Sequence, residues 1–139
     1  PIGFTSIHLC LFGLTGIIFG TRSVPVLFTV LLFQSLIFQH GGLISIGLNT
    51  LFMSAGAFLA FFLWKTFPLP PAVRSFGSGF FGILFPAVLI SLLFLAIQYG
   101  RGVLAFVLVY LPTAVIEGLL TLSIILYIRH NQPEIINEK

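Results

Sequence analysis

Charge is what this sequence most lacks. Only 6% of its 139 residues are Asp, Glu, Lys or Arg, where a soluble domain carries about 25%. The hydrophobic share is 58% and the mean hydropathy +1.19. A surface that apolar would aggregate in water. This excludes a soluble globular enzyme, a nucleic-acid-binding module and a disordered region. Cysteine is nearly missing too: Cys10 stands alone, which excludes an internal disulfide and a Cys-rich metal site. No Gly-rich phosphate loop, Ser-His-Asp set or pair of carboxylates is present, so nothing supports an enzyme. What is there is a series of long apolar runs. The chain reads as an all-α integral membrane protein, a single transmembrane domain over residues 1–139.

The few charges mark where the runs stop. They are Arg22, Lys65, Arg74, Arg101, Glu117 and Arg129, then Glu134, Glu138 and Lys139 in the tail. Residues 23–64 carry no formal charge. A spanning helix needs about 20 apolar residues, so this stretch holds two helices with a turn between them. The turn falls at Gln39-His40-Gly41-Gly42, where paired glycines and polar side chains interrupt the run. Helix B is therefore expected at 24–38, helix C at 43–64, helix D at 76–98 and helix E at 103–128. Ahead of them, 7–20 is short and holds Gly13, Gly16 and Gly20; it predicts a short or tilted helix A. The expected architecture is a polytopic bundle of about five transmembrane helices. Continuous long runs exclude the alternating ten-residue segments of a membrane β-barrel.

Orientation follows from the basic residues. With the tail from Arg129 placed in the cytoplasm, alternation puts Arg22, Lys65 and Arg74 on the same side and leaves only Arg101 outside. That is a positive-inside bias for short loops, and it accounts for the net charge of +3 and the pI near 9.5 without any nucleic acid. Residues 1–8 and the His40 hairpin then face outward. The segment 66–74, with Pro68, Pro70 and Pro71, reads as a stiff cytoplasmic connection. Trp64, at the end of helix C, is placed where an interfacial indole is expected. The opening at Pro1, without an initiator Met, reads as mid-protein, so a fragment lacking an N-terminal region is expected.

Few residues can carry chemistry. His8 and His40 fall on the same outer side, and two imidazoles at one face suit a transition-metal ion. From spacing alone the preferred reading of each is a lone interfacial histidine bonded to water or backbone, since no ligand motif links them. His130, beside Arg129, reads as solvated. Glu117 is the sole acid within a span, and a carboxylate there is costly unless protonated or paired. Thr113, Glu117 and Thr121 lie four apart, with Tyr110 nearby, and make one polar stripe that faces the bundle. Interhelical hydrogen bonding is the preferred role for Glu117 over ligand or proton carrier. It lies about 21 Å along helix E from its outer end, too deep to share a metal with His8 unless Pro112 bends the helix. Ser45, Asn49 and Met53 share a face of helix C, and Gln34 and Ser35 give helix B a polar spot. These groups could equally glue helices together. Gly16-xxx-Gly20 and Gly56-xxx-Ala60 have the spacing of close helix packing.

Taken together these residues resemble a known family. They are Pro1-Ile2-Gly3-Phe4-Thr5-Ser6-Ile7-His8, then Leu32-Phe33-Gln34-Ser35-Leu36-Ile37-Phe38-Gln39-His40-Gly41-Gly42-Leu43. Gly47-Leu48-Asn49-Thr50 through Met53 follow, and Glu117-Gly118-Leu119-Leu120-Thr121 closes the series. Their order and spacing are similar to those of the CbiM/NikM-type substrate-binding components (S-components) of energy-coupling-factor cobalt and nickel transporters. The resemblance covers nearly the whole chain.

The resemblance implies a helical bundle that captures Ni²⁺ or Co²⁺ as cargo at an outward-opening site, with no cofactor of its own. Family members use a Met-His start and the histidine of a T-S-x-H motif as nitrogen ligands. His8 matches the latter; the Met-His start lies outside this sequence. Ser6, Gln34, His40 and Asn49 would orient the ligands. The implied partners are the lipid bilayer, a transmembrane coupling subunit and cytoplasmic ATPases, in the cell membrane. An S-component for an organic vitamin and a membrane scaffold protein are the competing readings.

Overall fold

The computed structural model describes residues 11–38, 42–98 and 103–136. They form five α-helices: α1 Phe12–Phe19, α2 Ser23–Phe38, α3 Gly42–Thr66, α4 Pro71–Ala96 and α5 Val103–Asn131. A 3-10 turn at Gly20–Arg22 joins α1 to α2, and another at Pro133–Ile135 follows α5. Among the described residues there is no strand. Among the described residues, four stretches are long and apolar enough to cross a membrane: Phe12–Ile37, Ile46–Thr66, Pro71–Ala96 and Val107–Asn131. The first of them takes in both α1 and α2, which the turn separates. The fold is that of a polytopic helical membrane protein.

Helix A is the element whose form the sequence leaves most open. Its described part, α1, has 8 residues, about 12 Å at 1.5 Å per residue against a hydrocarbon core of about 30 Å. A Cβ on Gly16 would meet the Ala57 backbone, and one on Gly20 would meet the Phe61 ring. Rising numbers on α1 thus match rising numbers on α3, and the two run in the same direction. A straight continuation would carry 23–38 past the end of α3, yet α2 packs along α3. The chain therefore reverses at Gly20, whose φ of 54° lies in the left-handed region that glycine enters without a Cβ clash.

Two boundaries differ from the expectation. Helix D starts at Pro71, so the connection shrinks to 67–70. Proline suits the first helical position, because its fixed φ is helical and the missing N–H would have had no partner there. Arg74 is thus a helical residue. Its Nη1 donates to the Trp64 carbonyl at 3.0 Å, and its guanidinium carbon lies 4.6 Å from the Trp64 ring centroid. Trp64 is at the end of α3 but buried, packed with Ile17, Ile125 and Ile136; the indole belongs to the core here because the arginine covers it. Helix E runs on to Asn131, and the tail beyond it brings Ile136 back to the same cluster. His130 is exposed.

These contacts gather Arg22, Lys65, Arg74 and Arg129 at one end of the bundle. Arg101 lies outside the described residues. α4 packs on α3, α5 and α1, and a second cluster in mid-bundle unites Phe12, Leu27, Ala57, Ile83 and Ala114.

Candidate functional site: a carboxylate at the start of a half-length helix

Leu11 immediately precedes α1 and has φ 50° and ψ 42°. For a residue with a Cβ this left-handed conformation is uncommon and costs about 1 kcal/mol or more. Both of its peptide groups are held. The Leu11 N–H donates to Oε1 of Glu117 at 3.0 Å. Its carbonyl accepts from the Thr15 N–H at 2.9 Å and from Thr15 Oγ1 at 3.0 Å. Helix N-termini leave their first N–H groups without intrahelical acceptors; here an acceptor comes from another helix.

Glu117 can reach Leu11 because nothing bulky stands between α4, α5 and α1. A Cβ on Gly79 would lie 2.6 Å from both the Glu117 carbonyl and Thr121 Oγ1, and one on Gly13 would strike the Gly79 backbone. Gly118 packs under the Phe76 ring. The outcome is a carboxylate with 0% exposure. Glu117 is fourteen positions from either end of α5, so about 21 Å from each, and α1 begins at that mid-bundle depth. The depth expected to separate Glu117 from His8 falls on residues outside the described ones; at its described start, Leu11, helix A is level with Glu117. Half-length helices that begin near the midplane are a recurring device of membrane transporters, whose substrate sites lie at such broken ends.

The other expected site residues divide as follows. Thr113 and Thr121 are buried beside Glu117, and Tyr110 packs against the mid-bundle cluster. Among the described residues, no hydrogen-bond partner falls to the buried hydroxyls of Thr121 on α5 and Ser54 on α3. Gln34 and Asn49 are half-buried near the ends of α2 and α3 that the 39–41 connection joins. Met53 packs against the apolar cluster. Ser6, His8 and His40 lie outside the described residues, and so does the side chain of Ser45. Among the described residues, no group of three or more His, Cys, Asp or Glu comes together.

Sequence reasoning overlooked the small-residue face of α4, where Ser75, Ser78, Gly79, Gly82 and Pro86 are all buried. Their spacing along 75–86 was the available signal. It also overlooked the bond from Ser78 Oγ to the Ala60 carbonyl, 3.0 Å long and buried.

Apolar helices crossing through glycine contacts around the buried Glu117 carboxylate define a polytopic helical membrane protein. Residues 1–135 match the model of the CbiM family, described as the cobalt uptake substrate-specific transmembrane region, and the chain belongs to that family. It is similar to the cobalt transport protein CbiM of Thermosipho melanesiensis, 33% identical over 141 residues, covering 91% of this chain and 60% of that protein. The cobalt transport protein CbiM of Lachnoclostridium phytofermentans is 35% identical over 135 residues, covering 86% and 54%. That of Chlorobium limicola is 30% identical over 138 residues, covering 88% and 54%. The chain thus spans little more than half the length of these relatives. No solved structure matches it.

Proposed function

We propose that this chain forms the substrate-capturing membrane part of a cobalt or nickel uptake transporter, and that its role is transport and not catalysis. The observation that carries this reading is the family match across residues 1–135. The names of the relatives support cobalt as cargo. The T-S-x-H motif supplies His8 as a metal ligand, with Ser6, Gln34, His40 and Asn49 orienting it and its neighbours. A nearly planar all-nitrogen set, as the resemblance implies, would favour Ni²⁺ or Cu²⁺ over Zn²⁺ on geometry, and the resemblance does not by itself choose between nickel and cobalt. Energy comes from partners, a transmembrane coupling subunit and cytoplasmic ATPases, which dock from the bilayer and the cytoplasm.

Radiolabelled cobalt uptake by cells carrying the full-length protein tests the site. His8→Ala is expected to abolish high-affinity uptake. His40→Ala should weaken it by about 10- to 100-fold, the usual cost of losing a group that orients a ligand. His130→Ala, on an exposed position, should leave uptake unchanged. Uptake that survives His8→Ala at the wild-type level would sink the assignment.

The cluster of basic residues supports a cytoplasmic location for the end that holds Arg22, Lys65, Arg74 and Arg129. In a Cys10→Ala background, a membrane-impermeant thiol reagent added to intact cells should label a cysteine at position 40 and spare one at position 70. Labelling of position 70 alone reverses the orientation.

A further inference from the structure

The cations at the basic end of the bundle differ in what they meet. Arg74 is committed to the Trp64 carbonyl and ring, and Arg129 is engaged as well. Arg22 and Lys65 are both exposed, and among the described residues no hydrogen bond or ion pair involves either. The fold nonetheless brings these two to the same corner of the bundle. Lys65 Nζ lies 5.6 Å from the Phe61 ring centroid, within cation–π range. The same ring abuts Gly20, where a Cβ would come within 3.1 Å of Phe61 Cε2. Arg22 stands two residues beyond Gly20, in the 3-10 turn that packs on α1, α2 and α3. The Phe61 ring orients the ammonium but offers its N–H donors no oxygen, and the donors of the guanidinium face solvent too. Two like charges held at one place repel, and an anion between them removes that cost.

The level of the pair is that of the membrane surface. Lys65 is the last residue but one of the apolar stretch Ile46–Thr66, and Arg22 lies where the chain reverses between α1 and α2. Phe58 and Phe62 precede Lys65 on the same face of α3. They are 38% and 55% exposed and lead from the cation into the span. We infer that Arg22 and Lys65 form a seat for the phosphate of an anionic phospholipid, with its acyl chains along Phe62 and Phe58. A free phosphate ion or an acidic protein segment would meet the cations alone; a lipid meets the cations and covers the rings. A zwitterionic headgroup would bring a cation of its own beside the pair, so the seat prefers a lipid of net negative charge. It is independent of the metal-capture reading.

Native mass spectrometry of the purified full-length protein in detergent tests the seat. The protein is titrated with dioleoyl-phosphatidylglycerol or with dioleoyl-phosphatidylcholine, which has the same chains. Wild type should retain the anionic lipid about 25-fold more tightly, at about fivefold for each basic residue. Arg22→Gln and Lys65→Gln should each remove about fivefold of that preference, and the double variant should abolish it. Lys65→Arg should keep it, and so should Arg129→Gln, which removes one charge from the same end but lies on α5, away from the helices that flank the turn. Equal retention of the two lipids by wild type overturns the inference, as does a double variant that still prefers phosphatidylglycerol. An equal loss in Arg129→Gln overturns it in favour of the summed charge of that end. Displacement of the lipid by inorganic phosphate would assign the cations to a free anion. Loss of co-purifying transporter subunits from the double variant, with its lipid preference intact, would assign them to an acidic protein segment. Either result overturns the lipid seat.

Discussion

Helices α2 and α4 are both strongly apolar, and each lies in a stretch long and apolar enough to cross a membrane. Their surroundings are opposite. α4 lies against three neighbours and buries Ser75, Ser78, Gly79, Gly82, Ile83, Pro86, Ala87 and Ser91. α2 packs chiefly on α3 and leaves Phe28, Val30, Phe33, Leu36 and Ile37 exposed. In water the large apolar residues would be inside and the small ones out. In a bilayer, lipid tails solvate Phe and Leu as well as a protein core does, so helices associate through backbone proximity and hydrogen bonds. Small residues therefore mark the inner face, and the site carboxylate sits where the small residues are densest.

The strongest way to break this contrast is to give α4 a side chain where it has none. Gly79→Val would put a Cβ within 2.6 Å of the Glu117 carbonyl and 2.8 Å of the Gly118 Cα, both backbone atoms or bound to backbone. Neither neighbour can rotate away, so α4 and α5 must separate. The expected cost is at the upper end of overpacking, about 3 kcal/mol or more, with loss of the Leu11–Glu117 bond and of cobalt uptake. Phe33→Leu on α2, at a side chain 58% exposed, should change stability by about 0.5 kcal/mol at most. Unfolding in mixed micelles of dodecyl maltoside and SDS measures both. Equal destabilisation by the two would mean that α2 has a tight partner of its own.

How far the sequence discloses this arrangement depends on what kind of signal each feature leaves. The ends of α2, α3 and α5 fall within about three residues of the expectation, since Arg22, the Gln39–Gly42 turn, Lys65 and Arg129 interrupt apolar runs plainly. Arg74 misleads, because an arginine counts as loop in a hydropathy reading; here it is helical and spends its charge on the Trp64 carbonyl and ring. The polar stripe of Thr113, Glu117 and Thr121 is legible from its spacing of four. Its partner is not: Glu117 bonds a backbone N–H, and every residue except proline has one. Nor does any residue type announce the left-handed Leu11. Such features arise from how helices cross, and only the small-residue spacing along α4 hints at that.

The finest test sets one hydroxyl of α4 against one of α2. Ser78 Oγ donates to the Ala60 carbonyl on the neighbouring α3, buried and 3.0 Å long. Thr29 Oγ1 donates to the Pro25 carbonyl within its own helix, exposed and 2.8 Å long. The first bond ties two helices together and is lost when they part. The second survives helix separation, because donor and acceptor are four residues apart on the same helix, so it contributes equally to both states. Ser78→Ala should therefore cost about 0.6 kcal/mol, the average for an interhelical hydrogen bond in a membrane protein, and no more, since the Ala60 carbonyl keeps its place in the α3 ladder. Thr29→Val should cost nothing measurable by the same SDS titration. A loss of more than about 2 kcal/mol at Ser78 would exceed what one such bond supplies and would show that removing the hydroxyl also lets α3 and α4 repack. A loss at Thr29 would place α2 among the tightly packed helices, and the distinction between the two regions would have to be redrawn.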